Sequence, residues 1–498
     1  MRFSTLGVQS YHHDEVITIV RMLSGGFRHM LLRVRESEST PPLYYVVAWI
    51  WAKLFGSGEV GLRSLSALLG SATVPVAFLA GREALADRAP SKAVASRAGL
   101  IAAALVALNP MLIWYSQEAR SYAMLVFFCA LSLFFFLRCL RGARGWDLLG
   151  WALASAAALW SHYFAGFPIS IEAAWLLVAL RSRWRLVLPA VGMTALLGLA
   201  LVPLLLSQIS PAKTGWLHSI PFSSRVFQTG VSFLVGETGR LIDEPPHERF
   251  ALMPAILIGV ALVLLAVRGS RRERRGALAP LAVGLGTALV PVLLGLSGQD
   301  YVVERNMLPA LVPLLVVAAV GFAANRGHPA GSACAAALCV YWLAFAIYVP
   351  LTPSLQRLDW RGVAARLGRP HGPRAIVCQK LGVPELVYYL SGREKRVKGG
   401  NVFAREIDVV AKPPVKAPAV ALPAAFREVE QVRVQQLTLT RYRARLARRV
   451  PFHTLDRQRT GFGANAVIVD GAPRTRSRPG LRRPAARSPQ RPPKIVRR

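Results

Sequence analysis

NPMLIWYSQEARSYAMLVFF, residues 109–128, is the stretch on which the reading of this chain turns. Two apolar arms flank a short polar patch, Ser116 to Arg120, that holds an acid and an arginine. Followed outward, the arms become apolar runs at 98–115 and 121–138, near the ~20 residues needed to cross a bilayer. The stretch therefore reads as two membrane-spanning helices joined by a polar turn. Similar runs recur near 60–81, 147–165, 168–180, 186–206, 250–267, 277–297, 307–323 and 331–350, giving ten spans. Composition agrees: 53% of the 498 residues are hydrophobic and only 17% charged, with a mean hydropathy of +0.38. The expected fold class is an α-helical polytopic membrane protein.

Positive charge fixes an orientation. Arg82, Arg88, Lys92, Arg97, Arg138, Arg141, Arg144, Arg181, Arg183, Arg185, Arg268, Arg271, Arg272, Arg274, Arg275 and Arg326 fall in alternate loops, and the opposite loops are poorer in Lys and Arg. The basic set belongs inside. Residues 1–59, 116–120, 207–249, 298–306 and everything after 350 then lie outside, in a protein expected in the inner (plasma) membrane. TPPLYYVVAWIWAKLFG (40–56) is short, starts with two prolines and carries Lys53, so it reads as a helix lying at the interface. The net charge of +35 is ascribed to topology and lipid headgroups, with no nucleic-acid partner expected. Five cysteines show no CxxC or Cys/His spacing, so neither a disulfide framework nor a zinc site is indicated. MRFSTLGVQS lacks a signal-peptide apolar core.

After Pro350 the apolar runs stop, and RAIVCQ, ELVYYL, IDVVA and RVQQLTLTRYRA alternate with helical pieces such as DWRGVAARLG. This predicts a small α/β domain. Four regions are expected: a first outer loop with its juxtamembrane helix (1–59), the transmembrane domain (60–350), an extracytoplasmic α/β domain (351–445), and a basic Pro/Arg-rich disordered tail (446–498).

Polar residues at the outer ends of the spans are candidates for chemistry. Asp14 and Glu15 in QSYHHDEVITIV (9–20) could be a plain helix N-cap. Glu118 and Arg120 sit in the 116–120 turn, His162 and Tyr163 end one span, and Glu304 and Arg305 begin another. Each alone reads as structural. Their convergence on one face points to a site for an anionic, membrane-borne substrate. A carboxylate there can take a proton from a hydroxyl nucleophile, and arginines can hold a departing phosphate. With no P-loop, dinucleotide fingerprint or metal cluster in the sequence, a phosphate-linked lipid suits as donor better than a nucleotide sugar, and no cofactor is expected. A transporter or flippase of a lipid-linked sugar is the rival reading. It would place ionisable sites near the bilayer midplane, whereas here the spans are nearly charge-free, Glu172 being the main exception. A non-catalytic assembly subunit is the third reading.

The order QSYHHDE, ESTPPLYYVVAWIWAKLFG, YSQEARSYA, WSHYFAG, VERNMLPALVPL and DWRGVAA resembles the polyprenyl-phosphate-sugar-dependent glycosyltransferases of GT-C fold, among them the protein O-mannosyltransferases and the lipid A aminoarabinose transferase. The resemblance covers residues from about 5 to 445. It implies transfer of a mannose-like sugar from a polyprenyl-phosphate donor to a lipid, protein or cell-wall glycan acceptor, in a bacterial cell envelope. It further implies an inverting reaction in which Asp14, of the catalytic pair Asp14 and Glu15, is the general base. Glu118 would help bind sugar or acceptor, and Arg305 the donor phosphate. The aminoarabinose transferase has a Lys immediately before its Pro-Pro pair where this chain has Thr40, so Arg120 and Arg305 are expected to supply phosphate contacts instead. The family also has a first transmembrane helix ahead of the Asp-Glu loop, and none stands ahead of it in these 498 residues.

Overall fold

The computed structural model describes all residues except 88–90, 210–216, 218–219, 238–247, 325, 327, 391–394, 414–420, 462–463 and 471–498. The chain opens with a short helix α1 (His13–Ile17) that widens into a π-helical turn over Thr18–Leu23. Two further helices follow, α2 (Phe27–Ser37) and α3 (Leu43–Phe55). The helical body comprises α4 (Glu59–Ala84), α5 (Lys92–Leu108), α6 (Pro110–Tyr115), α7 (Tyr122–Gly142), α8 (Gly145–Ser161), α9 (Gly166–Ala179), α10 (Trp184–Leu199), α11 (Val202–Gln208), α12 (Phe222–Val235), α13 (Glu248–Val267), α14 (Arg271–Leu296), α15 (Leu311–Phe322) and α16 (His328–Leu351).

Each of the ten expected apolar runs is helical. Among the described residues, seven helices are long and apolar enough to cross a membrane: 59–84, 122–142, 181–208, 248–267, 271–296, 304–322 and 329–351. α5 and α8 have 17 residues each, shorter than the expected spans at these positions, and α9 has 14, close to the short run expected at 168–180. α3, at 13 residues, is too short to cross by itself. Its Tyr44, Tyr45 and Ala48 are fully buried, so one face is spent on the protein.

Local sequence explains the boundaries. Asn109 accepts from the Leu112 amide at 3.1 Å and Pro110 occupies the first turn, so the chain restarts a helix immediately after α5 ends. Ser270 and Glu273 form a reciprocal capping box at the head of α14. Small residues let helices approach closely: a Cβ on Gly81 of α4 would lie 2.8 Å from Ala102 Cβ of α5, and one on Gly99 of α5 would lie 2.7 Å from the Phe78 carbonyl.

Beyond α16, helices α17 (Trp360–Leu367), α18 (Val383–Leu390) and α19 (Phe452–Asp456) flank a six-stranded sheet. Its strands are β1 (Arg374–Gln379), β2 (Lys395–Val397), β3 (Asn401–Ala411), β4 (Arg427–Val434), β5 (Leu437–Pro451) and β6 (Asn465–Asp470). The order is β2-β6-β1-β3-β5-β4. β1 and β3 run parallel, Ile376 opposite Asp408, and every other pairing is antiparallel. Ile376, Cys378, Val410 and Ile468 pack under Trp360, Val363 and Leu386 of α17 and α18. Ala375, Val377, Ile407 and Val467 face the other side, as the period of a strand requires.

The expected start of a disordered tail at 446 is corrected. β5 continues to Pro451, and β6, between β2 and β1, is formed by NAVIVD. In the second half of β5, arginines such as Arg445 point outward while Ala444 and Val450 are buried. Overall composition there is basic, but the segment pairs with β3, Val450 opposite Val402. The last 28 residues of the expected tail, 471–498, lie outside the described residues.

Candidate functional site

The site assembles where α6, α7, α8 and α15 end or begin. α1 places Asp14 and Glu15 on successive positions of one turn, so their side chains leave in different directions. The turn is a capping box: the His12 amide donates to Glu15 Oε2 at 2.9 Å. The π-helical turn that follows is an uncommon element, often found at functional sites.

Glu15 is fully buried and saturated. Arg63 Nε donates to Oε1 and Arg63 Nη2 to Oε2, each at 2.7 Å. Arg357 Nη1 donates to Oε2 at 2.9 Å, and the Ala119 amide donates to Oε1 at 2.9 Å. Burial works to raise this carboxyl, but Arg63 and Arg357 more than reverse it, and the group stays below the usual range. Glu15, expected with Asp14 as a catalytic pair, has both oxygens already engaged. Its role is to fasten the first loop to α4, to the 116–120 turn and to the strap leading into the C-terminal domain. Arg63 extends the fastening through the carbonyls of Leu6, Gln9 and Ser10.

Asp14 has a different setting. Its side chain is 26% exposed and takes one ion pair, from Arg305 Nη1 at 3.1 Å. Burial pushes the carboxyl up, but Arg305 and Arg120 outweigh it and hold Asp14 well below the usual carboxylate range. Asp14 is thus ionised at neutral pH, with a face available for another group.

Glu118 is buried and bonded to Arg357 Nη2 at 2.5 Å. Burial, with Glu15 and Asp14 nearby, raises its carboxyl despite Arg357. Arg357 also lies over the Trp114 ring, 4.7 Å from its centre. Arg120 is held by Glu38 at 3.1 and 3.3 Å and by Thr18 Oγ1 at 3.1 Å. It contributes to the field at Asp14, but its hydrogen bonds go to the first loop.

His162 is buried, caps the turn into α9 by accepting from the Phe164 amide at 3.3 Å, and packs against Tyr122 at 5.7 Å between ring centres. The Tyr163 hydroxyl donates to Gln208, whose amide reaches the carbonyls of Val34 and Thr40. This joins α9 to the end of the first loop. Glu304 and Arg305 open the turn of helix Glu304–Ala310 that leads into α15. Asp14, Glu118, Arg120, His162 and Arg305 are therefore brought together, with Tyr163 and Glu304 at the margins.

Four residues of the cluster escaped the sequence reading: Glu38, Arg63, Arg357 and Glu237. Arg63 carried a signal, as a charge just inside an apolar run must find a partner. Arg357 and Glu38 sit in polar loops where nothing marks them out. The C-terminal domain also closes on α1: His13 Nδ1 lies 3.5 Å from Glu385 and 2.9 Å from the Leu381 carbonyl. Tyr389 bonds Glu59, Arg361 bonds Glu59 at 3.1 Å, and Ser10 donates to the Leu358 carbonyl at 2.8 Å. Among the described residues no group of three or more His, Cys, Asp or Glu side chains is placed to hold a metal ion.

Residues 39–206, about a third of the chain, match the family model described as dolichyl-phosphate-mannose-protein mannosyltransferase. The match includes Glu118, Arg120, His162 and Tyr163 and stops short of Asp14 and Arg305 on either side. No curated protein matches. Among solved structures, the oligosaccharyltransferase AglB of Archaeoglobus fulgidus, in complex with an inhibitory peptide and a dolichol-phosphate, is 12% identical, with 74% of this chain and 56% of that one covered, at a TM-score of 0.41. ArnT of Cupriavidus metallidurans bound to undecaprenyl phosphate is also 12% identical, with 88% and 95% covered, at a TM-score of 0.29. The chain spans about half the length of the archaeal enzyme. The chain is thus similar over residues 39–206 to the dolichyl-phosphate-mannose-protein mannosyltransferase family, and its described residues form a largely helical architecture with seven helices able to cross a membrane and a small C-terminal sheet domain.

Proposed function

We propose that the protein moves a sugar, mannose-like in the first instance, from a polyprenyl-phosphate donor to a hydroxyl of a lipid, protein or cell-wall glycan acceptor at the outer face of the inner membrane. The observation that carries this reading is the Asp14–Arg305 pair: an ionised, partly open carboxylate held by one guanidinium, beside a carboxylate of the same turn that is closed off completely.

Arg305 is the donor-phosphate contact. A phosphate diester arriving there competes with Asp14 for the guanidinium, because both are anions and Arg binds either bidentately. As Arg305 turns to the phosphate, Asp14 loses the partner that depresses its basicity, and burial lifts it toward the range where proton transfer is effective. Donor binding therefore primes the base. The acceptor oxygen then forms its bond to the anomeric carbon as the bond to the phosphate oxygen breaks. The hydroxyl proton passes to Asp14, and the electron pair leaves with polyprenyl phosphate toward Arg305. One displacement inverts the anomeric centre. Arg120, fixed by Glu38, adds positive field without moving. The family match and the polar end of the helical body support this reading.

The test is a donor assay in proteoliposomes holding the full chain and labelled polyprenyl-phosphate sugars. Release of polyprenyl phosphate with the sugar on an acceptor of opposite anomeric configuration is the expected result. Donor that crosses the bilayer with its sugar still attached contradicts the reading in favour of a transporter.

A further inference from the structure

Glu237 lies just after α12, near Glu304, Glu118 and Arg305 of the cluster. The Tyr115 hydroxyl donates to its carboxylate, and Tyr115 stacks edge-on with Tyr122 at 4.9 Å between ring centres. Glu237 also lines a cavity of about 330 Å³ whose walls include Trp114, Val235, Ile347, Val349 and Leu351. These walls are apolar, and two of them belong to a surface that α16 turns outward: Ile347 is 47% and Leu351 74% exposed. α16 is one of the helices long and apolar enough to cross a membrane, so the cavity is open beside a lipid-facing helix end.

Charge distinguishes this cavity from the phosphate side. Arg305 and Arg120 act together on Asp14, whereas at Glu237 burial with Glu304 and Glu118 outweighs the Tyr115 hydrogen bond and Arg305 and lifts the carboxyl to about 8. A phosphate placed against Glu237 would meet two acidic neighbours against one arginine. A neutral hydroxyl would instead exchange hydrogen bonds with a protonated carboxyl.

We propose that this cavity is the acceptor site, that it takes an acceptor with an apolar anchor and a neutral, hydroxyl-bearing head, and that Glu237 is a specificity-determining residue for that head. The proposal rests on the glycosyltransferase reading and names the acceptor class for it. The apolar anchor occupies the walls formed by Trp114, Val235 and Ile347. The hydroxyl head points past Glu237 and Tyr115 toward the Asp14–Arg305 pair, where the reaction takes place.

The test uses two photoactivatable probes on the full chain in proteoliposomes: an alkyl glycoside and an alkyl phosphate, each with a diazirine in the same alkyl chain. Cross-linked peptides are mapped by mass spectrometry. The glycoside is expected to label segments 110–117 and 346–351, and the phosphate to label them at least ten-fold less. Glu237→Ala should lower glycoside labelling about three- to ten-fold, the scale of a lost hydrogen bond. Ala346→Trp, which fills the cavity while leaving Glu237 in place, should abolish it. Asp14→Asn should leave labelling unchanged, so a failure of the catalytic reading is told apart from a failure of this one. Equal labelling by the phosphate probe, or glycoside labelling indifferent to Glu237→Ala or Ala346→Trp, overturns the proposal.

Discussion

Asp14 and Glu15 are neighbours on one helical turn, yet their surroundings differ in every respect that matters for chemistry. Glu15 is fully buried and receives five hydrogen bonds, from two arginines and two backbone amides. Asp14 is a quarter exposed and has a single arginine at 3.1 Å. A carboxylate encircled by guanidinium groups is stable as an anion but has no lone pair left for a substrate. One held by a single guanidinium can exchange that partner for a proton. What separates the two carboxylates is the number of partners and the access, with residue type and position almost constant.

The comparison can be broken by mutation. Glu15→Ala strands Arg63 and Arg357 in a buried setting, and unfolding should become easier by about 3–5 kcal/mol, read as a lower midpoint in detergent thermal unfolding. An unchanged midpoint would mean the network is not a fastening. Arg357→Met leaves Glu15 with Arg63 but deprives Glu118 of its partner, at about 1–3 kcal/mol. In the double variant with Glu15→Ala the two losses should fall short of additivity, because they share a bond.

Arg305→Ala sharpens the other half. Without Arg305, burial dominates at Asp14 and its pKa rises. Activity that depends on ionised Asp14 should then lose its acid side at higher pH, by about one unit or more, roughly 1.4 kcal/mol per unit. The pH profile of kcat/KM reads this shift, and an unmoved acid limb would separate Arg305 from Asp14. The smallest effect concerns the clasp of the C-terminal domain. Burial lowers the His13 imidazole, but the Glu385 hydrogen bond and charge, with Asp14, raise it above its ordinary value. A His raised in the folded state adds stability that is fully present below pH 6.5 and is lost as pH climbs through the higher folded value. Stability should therefore fall modestly from pH 6 to 8, by about 1 kcal/mol or less, and Glu385→Gln should flatten that slope.

Much of this was legible in the sequence, and the limits have physical causes. Apolar runs of span length announced the helical body, because a bilayer imposes length and hydropathy locally. The acids and arginines at the ends of those runs stood out against a background with few charges, so Asp14, Glu118 and Arg305 could be named. The resemblance singled out Asp14, but the closing-off of Glu15 could not be read. It is decided by Arg63, 48 positions away, and by Arg357, 342 positions away, and no local pattern records such a pairing. β6 was lost for the opposite reason: NAVIVD is a short apolar run of strand length, but it lies within a basic, proline-rich end whose composition dominated the reading.

The central claim is that Asp14, and not Glu15, is the base. The most direct measurement is single-turnover sugar transfer from a labelled polyprenyl-phosphate sugar by the full chain and its Asp14→Asn variant, in proteoliposomes with matched thermal midpoints. A loss of about 10²–10⁴-fold in the transfer rate, with donor binding retained, is the predicted result. Transfer at the native rate by Asp14→Asn would contradict the account.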